Sequence, residues 1–241
     1  KPLPIAAQIS DSETAPKRQG RLPSWFKTRL PNGKQQAIFN STKTAVKDNK
    51  LHTVCEEARC PNIHDCWASG DATFMIAGQE CTRGCRFCAV GTIKTPPPLD
   101  VDEPEHLAQA VDQMGLRHAV ITVVNRDDLD DSGASHYKAC LQKVRSQCPD
   151  VTLELLCSDL NGDLEALASL LDNLSLEVFA HNVECVPRLD KTFRDARASF
   201  STSISFPSSS SKVFFVSKFF SLSKKRTKAT RRIIDKPKEK I

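Results

Sequence analysis

The chain has 241 residues, 39% of them apolar, enough for one domain of ordinary to large size around a buried core. Its net charge of +5 is uneven: residues 201–241 carry a net +9 and residues 1–200 a net −4, which argues against a nucleic-acid-binding body. No apolar run approaches the roughly 18 residues of a transmembrane helix, and ten cysteines in two close groups plus stragglers do not read as the framework of a short secreted scaffold.

Residues 1–50 are polar and proline-containing, and read as an arm laid over a domain, ordered by Trp25 and Phe26 within PSWFKTRLPNG (Pro23–Gly33). The chain starts at Lys1 rather than Met, so this end reads as processed or incomplete. After a cysteine-rich stretch comes TFMIA (Thr73–Ala77), a short apolar strand. DEPEHLAQAVDQMG (Asp102–Gly115) predicts a helix, with Asp102 as candidate N-cap, proline in the first turn and Gly115 as the stop. AVITVV (Ala119–Val124) is a β-branched run expected of a strand buried on both faces. A helix over Gly133–Cys148, a strand over Val151–Cys157, a helix over Asp163–Leu174 and a fourth strand over Leu176–Asn182 follow. In the last helix Leu164, Leu167, Leu171 and Leu174 form the expected apolar stripe. Strands alternating with helices imply βαβ units and a parallel sheet.

The alternation stops after Phe200. Residues 201–223 hold ten serines, and a Lys/Arg-rich end follows. Four βα units are too few to close a barrel. The expectation is a partial (β/α) barrel, truncated after its fourth strand, with an open sheet edge.

Between Glu80 and Ala89 the chain reads CTRGCRFC, placing Cys81, Cys85 and Cys88 in a C-x3-C-x2-C loop at the carboxyl end of the first strand, where barrel-like folds gather their sites. Three thiolates can bind three irons of a [4Fe–4S] cluster and leave the fourth iron open; a single zinc is the plainer alternative. The aromatic Phe87 stands just before the third cysteine. Upstream, CEEARCPNIHDC places Cys55, Cys60 and Cys66 in C-x4-C-x5-C, a spacing of no common zinc knuckle. His64 offers either a fourth zinc ligand or a solvated loop histidine. At the strand ends Asn125, Arg126, Asp127, Asp128, His181 and Asn182 are candidate cofactor-pocket residues, with capping or solvation as the plainer role of Asp127 and Asp128. Cys140, Cys148, Cys157 and Cys185 read as ordinary thiols.

C-x3-C-x2-C with Phe87 resembles the radical S-adenosylmethionine (radical SAM) motif. LHTVCEEARCPNIHDCW followed by CTRGCRFCAV resembles the lipoyl synthase family of that superfamily, and so do TVVNRDDLDDSGASHY (Thr122–Tyr137), FAHNVECVPRL (Phe179–Leu189) and RDARASF (Arg194–Phe200). The resemblance covers about Pro23 to Phe200. With the composition at both ends it gives a division into an N-terminal arm (1–50), an auxiliary-cluster segment (51–72), a radical SAM partial barrel (73–200) and a Ser-rich then basic tail (201–241). It implies that Cys81, Cys85 and Cys88 hold a [4Fe–4S] cluster that binds S-adenosylmethionine and reduces it to methionine and a 5′-deoxyadenosyl radical. Phe87, Asn125, Asp127 and Asp128 are then expected in the cofactor pocket. Cys55, Cys60 and Cys66 are implied to hold a second, auxiliary [4Fe–4S] cluster, consumed as sulfur source.

The implied reaction inserts two sulfurs at C6 and C8 of an octanoyl group amide-linked to a lysine of a carrier protein. The implied partners are octanoylated lipoyl carriers (glycine-cleavage H protein and 2-oxoacid dehydrogenase E2 domains) and a ferredoxin- or flavodoxin-type electron donor, with no nucleic acid and no membrane. The implied location is an organelle, plastid or mitochondrion, in a eukaryote, or the cytoplasm of a bacterium. The chain departs from the family in two places. The family's closing Arg-Ser-Ser-Tyr stretch, whose serine is the fourth auxiliary ligand, has no counterpart, and the run Ser208–Ser211 is not assigned that role. Ser132 stands where the family commonly has glycine. A non-catalytic zinc- or iron-binding module and an inactive fragment remain the alternatives.

Overall fold

The β-branched run at residues 118–123 decides the architecture. In the computed structural model, which describes residues 32–208 apart from Lys50 and Arg59, this run is the central strand of a five-stranded sheet. In chain order the elements are α1 (Lys34–Asp48), β1 (His52–Thr53), α2 (Val54–Glu57), α3 (Ile63–Ala68), β2 (Asp71–Ile76), β3 (Glu80–Cys81), β4 (Gly91–Thr92), α4 (Glu103–Gln113), β5 (His118–Val123), α5 (Ala134–Gln147), β6 (Thr152–Leu156), α6 (Leu164–Leu171), β7 (Val178–Ala180), α7 (Asp190–Phe193) and α8 (Phe200–Ser208).

The main sheet runs β1-β2-β5-β6-β7, with β3 and β4 as a separate parallel pair. From β2 onward all neighbours are parallel, with Phe74 opposite Ile121, Ile121 opposite Leu155 and Leu155 opposite Phe179. Each βα unit adds its strand beside the previous one and the order never reverses. That is the winding of a barrel, not of a doubly wound sheet. α4, α5 and α6 pack successively beside one another. Among the described residues the four parallel strands do not close on themselves, so the expected partial α/β barrel is what forms. The core is continuous across the helix-facing side, with Phe74, Ile76, Leu107, Val111, Ile121, Leu141, Leu153 and Leu155 fully buried or nearly so.

The predicted strands and helices all form, with shifted ends. Asp102 occupies the N-cap position of α4 but its side chain makes no capping bond; Asp163 caps α6 through both Glu165 and Ala166 N–H. The predicted stripe on α6 needs correction. Leu164 is half exposed, whereas Leu167, Leu170 and Leu171 are buried. The helix ends at Leu171 because Asp172 turns extended, leaving Leu174 in a loop against the core.

Two boundaries also move. Within the stretch read as an arm, residues 34–48 form a helix, and Phe39 stacks on Trp67 of α3 with ring centroids 5.3 Å apart. Trp25 and Phe26 lie outside the described residues. At the other end α8 carries the fold past the expected break at Phe200. Phe206 is buried, and Ser203 accepts a 3.0 Å hydrogen bond from Arg194. Residues 209–241, with the serine run from 209 onward and the basic end, lie outside the description.

The turn before α5 explains the glycine preference at position 132. Ser132 has φ 53 and Gly133 φ 89, both left-handed. A Cβ at Gly133 would come within 2.8 Å of the Tyr137 ring, whose hydroxyl is shared between the Val124 and Ser132 carbonyls at 3.0 and 2.9 Å. Left-handed backbone costs a side-chain-bearing residue about 1–2 kcal/mol, and glycine gives back about 0.5–1 kcal/mol in chain entropy. Ser132→Gly is therefore expected to stabilise the chain by about 0.5–1 kcal/mol. Thermal unfolding should show an upward shift of about 2 °C; no shift, or a fall, contradicts this reading.

Candidate active site

The cysteine loop sits where the strand order predicts, at the carboxyl mouth of the parallel strands. Cys81 ends β3 and is buried; Cys85 is half-buried and Cys88 exposed. Backbone N–H groups aim at the sulfurs. Arg83 and Asn125 N–H each donate to Sγ of Cys81 at 3.4 Å, and Asp195 N–H donates to Sγ of Cys85 at 3.3 Å. Such donors favour thiolate over thiol. Without a metal, the thiols of Cys85 and Cys88 are pushed upward, first by burial. In Cys85 the Asp195 N–H opposes that, and in both the neighbouring cysteine sulfurs add to it. Three cysteine sulfurs gathered in one short loop, two of them raised by burial and by neighbouring sulfur, are a site that wants a cation.

A buried ion network fixes the loop. The Arg83 guanidinium, 3% exposed, forks onto Asp127 (Nη2 to Oδ1 2.7 Å, Nε to Oδ2 3.0 Å) and reaches Asp159 through Nη1 at 2.8 Å. Thr82 donates its hydroxyl to Asp127 at 2.6 Å, and Arg197 lies 3.2 Å from the same carboxylate. Burial works to raise the Asp127 carboxyl, but hydrogen bonds from Arg83 and Thr82 outweigh it and hold it below the ordinary carboxylate range. From the far end of the chain Asp195 accepts Gly84 N–H at 2.9 Å, and Arg86 N–H donates to the Phe193 carbonyl at 2.8 Å. Hydrogen bonds from Arg197, opposed by burial and aided by the Gly84 N–H, hold Asp195 far below the usual range.

Beside the loop lies a cavity of about 280 Å³, lined by Cys81, Cys85 and Cys88, by Phe87, and by apolar groups such as Met75 and Val124. Asn125, His181 and Asn182 also line it, as expected from their strand-end positions. Asp127 and Asp128 do not, and this corrects their placement in the pocket. Asp127 is consumed by Arg83. Asp128 pairs with Arg126 at 2.8 Å, and Arg126 is itself buried and hydrogen-bonded to the Ala77 and Pro97 carbonyls. Both acids therefore brace the loops around the site.

His181 is 5% exposed, and burial pulls its pKa below the ordinary imidazole value. Nδ1 lies 2.9 Å from the Cys157 carbonyl and so carries the ring proton, leaving Nε2 as an acceptor. Nε2 is buried and has no hydrogen-bond partner among the described residues. Arg83, Asp159, Asp195 and Arg197 escaped sequence reasoning as site residues. The last two stand in the RDARASF stretch, which carries the family resemblance but no local pattern that marks a site.

The upstream triplet lies on two short neighbouring helices and the turn between them. Cys55 is on α2 and Cys66 on α3, and Cys60 folds back so that its N–H donates to the Cys55 carbonyl at 3.0 Å. The Cys66 thiol is pushed up by burial first, then by Cys55 and Cys60. Val54, adjacent to Cys55, lines the same cavity as Cys81 and Cys85. His64 is neither in a loop nor simply solvated. It lies on α3 with its ring 4.2 Å from that of Phe39.

A singly wound parallel sheet with a three-cysteine loop at its mouth defines an iron–sulfur enzyme fold, and comparison with known proteins agrees. A family model described as "Radical SAM superfamily" matches residues 75–205, and one described as "N-terminal domain of lipoyl synthase of Radical_SAM family" matches residues 6–60. The chain belongs to the radical SAM superfamily and, within it, to the lipoyl synthase family. It is similar to "Lipoyl synthase, mitochondrial" of Leishmania braziliensis, 45% identical over 83% of this chain and 54% of the relative. The protein of the same name from Bos taurus is 46% identical over 76% of this chain and 50% of the relative. That from Paracoccidioides lutzii is 49% identical over 76% and 42%. The chain spans about half the length of the curated relatives it matches. The family implies an iron–sulfur cluster and S-adenosylmethionine. The thiols of Cys81, Cys85 and Cys88, with backbone N–H donors on two sulfurs and a cavity at their side, fit that group.

Proposed function

We propose that this chain performs the sulfur-insertion chemistry of a lipoyl synthase, placing sulfur at C6 and C8 of an octanoyl-lysine on a carrier protein. The observation that supports it best is the single cavity bordered both by the Cys81–Cys88 loop and by Val54 beside Cys55. Cys81, Cys85 and Cys88 would hold one [4Fe–4S] cluster and Cys55, Cys60 and Cys66 a second. An iron–sulfur cluster with bound S-adenosylmethionine supplies a carbon-centred radical, which an unactivated C–H bond requires because acid–base catalysis has no purchase on it.

The protein's own part is position and dryness. Arg83, Asp127 and Asp159 hold the cysteine loop rigid from below, and Asp195 clasps it from the side. Met75, Val124 and Leu156 keep the cavity wall apolar, which shields a reactive carbon from water. Phe87, half exposed at the rim, offers a flat apolar face to the cosubstrate. Asn125 and the neutral Nε2 of His181 supply hydrogen-bonding atoms to orient it.

The substrates would be octanoylated carriers of the H-protein or E2 kind, and the electrons would come from a ferredoxin or flavodoxin. The relatives are named mitochondrial, so in a eukaryotic host we place the protein in an organelle. No helix among the described residues is long and apolar enough to cross a membrane. The test is an anaerobic assay on an octanoylated carrier. The chain is expected to form lipoyl product and 5′-deoxyadenosine. With Cys55, Cys60 and Cys66 all changed to Ala it should lose the product but keep cosubstrate cleavage. Equal loss of both by a folded variant would sink the division of labour between the triplets.

A further inference from the structure

Three side chains that the chemistry above leaves unused meet between α4 and α5. His136 and Cys140 stand four residues apart on α5, on one face of the helix. Nε2 of His136 lies 3.7 Å from Sγ of Cys140. Across the gap Glu103, the first residue of α4, brings Oε2 to 2.5 Å from the same Nε2. One ligand atom from each residue lies within 4.8 Å of the other two. Cys140 is fully buried, while the His136 and Glu103 side chains keep 10% and 14% of their surface open.

We propose that Glu103, His136 and Cys140 form a zinc site that clips α4 to α5 beneath the start of the cysteine loop. A tetrahedral zinc, with nitrogen at about 2.0–2.1 Å and thiolate sulfur at about 2.3 Å, sets those two ligands about 3.5 Å apart. The observed 3.7 Å is already close. The carboxylate oxygen has to withdraw by less than about one ångström from the imidazole to reach tetrahedral spacing. Oε2 of Glu103 also accepts the Ala77 N–H at 2.9 Å, an outer hydrogen bond of the kind that orients a metal-ligating carboxylate.

The chemistry of the set favours a cation over a hydrogen-bonded trio. The short bond between Nε2 and Glu103 uses the one proton or lone pair that Nε2 can offer, so Cys140 gains little from the imidazole. A metal satisfies all three groups at once. Zinc binding releases the thiol proton to solvent, and one thiolate, one carboxylate and one neutral imidazole then cancel the dipositive charge. Net neutrality matters where a lone charge would be costly. A mixed S, N, O set suits zinc better than magnesium or calcium, which prefer oxygen alone. The slight exposure of His136 and Glu103 leaves access for water as fourth ligand.

The site is distinct from both cysteine triplets, and Glu103 links it to Ala77, the residue after β2. Its test uses the full chain, loaded anaerobically with iron and sulfide so that the six cysteines of the two triplets are occupied, then given zinc and desalted. One tightly held zinc per chain is expected. Its X-ray absorption should show a single sulfur at about 2.3 Å with nitrogen or oxygen ligands at about 2.0–2.1 Å. His136→Gln, which keeps a hydrogen-bonding partner for Glu103, and Cys140→Ala should each lose the zinc with iron content unchanged. Absence of retained zinc, a sulfur-rich shell, or zinc that survives both variants would overturn the proposal.

Discussion

Changing Cys81, Cys85 and Cys88 together to Ala is expected to reduce cleavage of S-adenosylmethionine to background while leaving the fold standing. The loss should be complete because every thiol of the loop is removed and, among the described residues, the one other cysteine lining the cavity is Cys157, a buried group just after the carboxyl end of β6. Folding should survive because the loop is not held by its sulfurs. Arg83 binds Asp127 and Asp159, Thr82 binds Asp127, and Asp195 binds Gly84 through side-chain and backbone groups that the substitutions leave in place. The checks are 5′-deoxyadenosine formed under chemical reduction, iron and sulfide content, and the urea midpoint. One cluster's worth of iron should remain, at Cys55, Cys60 and Cys66. Deoxyadenosine above background from the folded variant would show that this loop is not where the cosubstrate reacts.

The sequence makes legible whatever depends on local pattern or on a fixed ligand count. Residues 119–124 announce a strand because β-branched side chains leave them no competing periodicity, but not one buried on both faces: Ala119 and Ile121 are buried while Val120, Thr122 and Val123 are half-buried. The triplet at 81, 85 and 88 announces its chemistry because three thiols in eight residues suit few alternatives. What was missed depends on contacts between distant segments. α1 has few apolar residues, and it is held by the Phe39–Trp67 stack and by burial of Ala45 and Val46. α8 was hidden in serine-rich composition, yet Phe206 and Ser203 are buried, and Arg194 reaches the latter.

The acids at 127 and 128 show the same limit at the site. Position at a strand end pointed them into the pocket, but which way a carboxylate turns is settled by where its cation stands. Arg83 is 44 residues from Asp127 and 76 from Asp159 along the chain, and only the parallel winding brings the three together. The Asp195 clasp spans 111 residues. Nothing local to any of these positions encodes the pairing.

Substituting Arg83 by Met is expected to cost about 3–5 kcal/mol of stability at neutral pH, because it strands charges that folding has already taken out of water. The Asp127 and Asp159 side chains are only 7% and 2% exposed. Asp127 would keep the Thr82 hydroxyl and Arg197, but among the described residues Asp159 would keep just the Asn161 N–H at 3.0 Å. The size of the loss should depend on pH with a definite sign. In the wild type the folded Asp127 carboxyl titrates below its ordinary value, so its contribution is complete above about pH 4 and falls away as pH drops through the folded value. In the variant burial persists while the strongest opposing bonds are gone, so the folded carboxyl titrates higher and the native state takes up a proton sooner. The gap between the two proteins is therefore widest near neutrality and narrows on acidification. Removing the stranded charge as well, in Arg83→Met with Asp159→Leu, should recover part of the loss, since an apolar group in place of a buried ion is tolerated better than half a pair. Urea unfolding at pH 7 and pH 4.5 measures all three proteins. A gap under about 1 kcal/mol, the range of exposed ion pairs, or one that widens in acid, would mean that the cysteine loop is anchored by something other than Arg83.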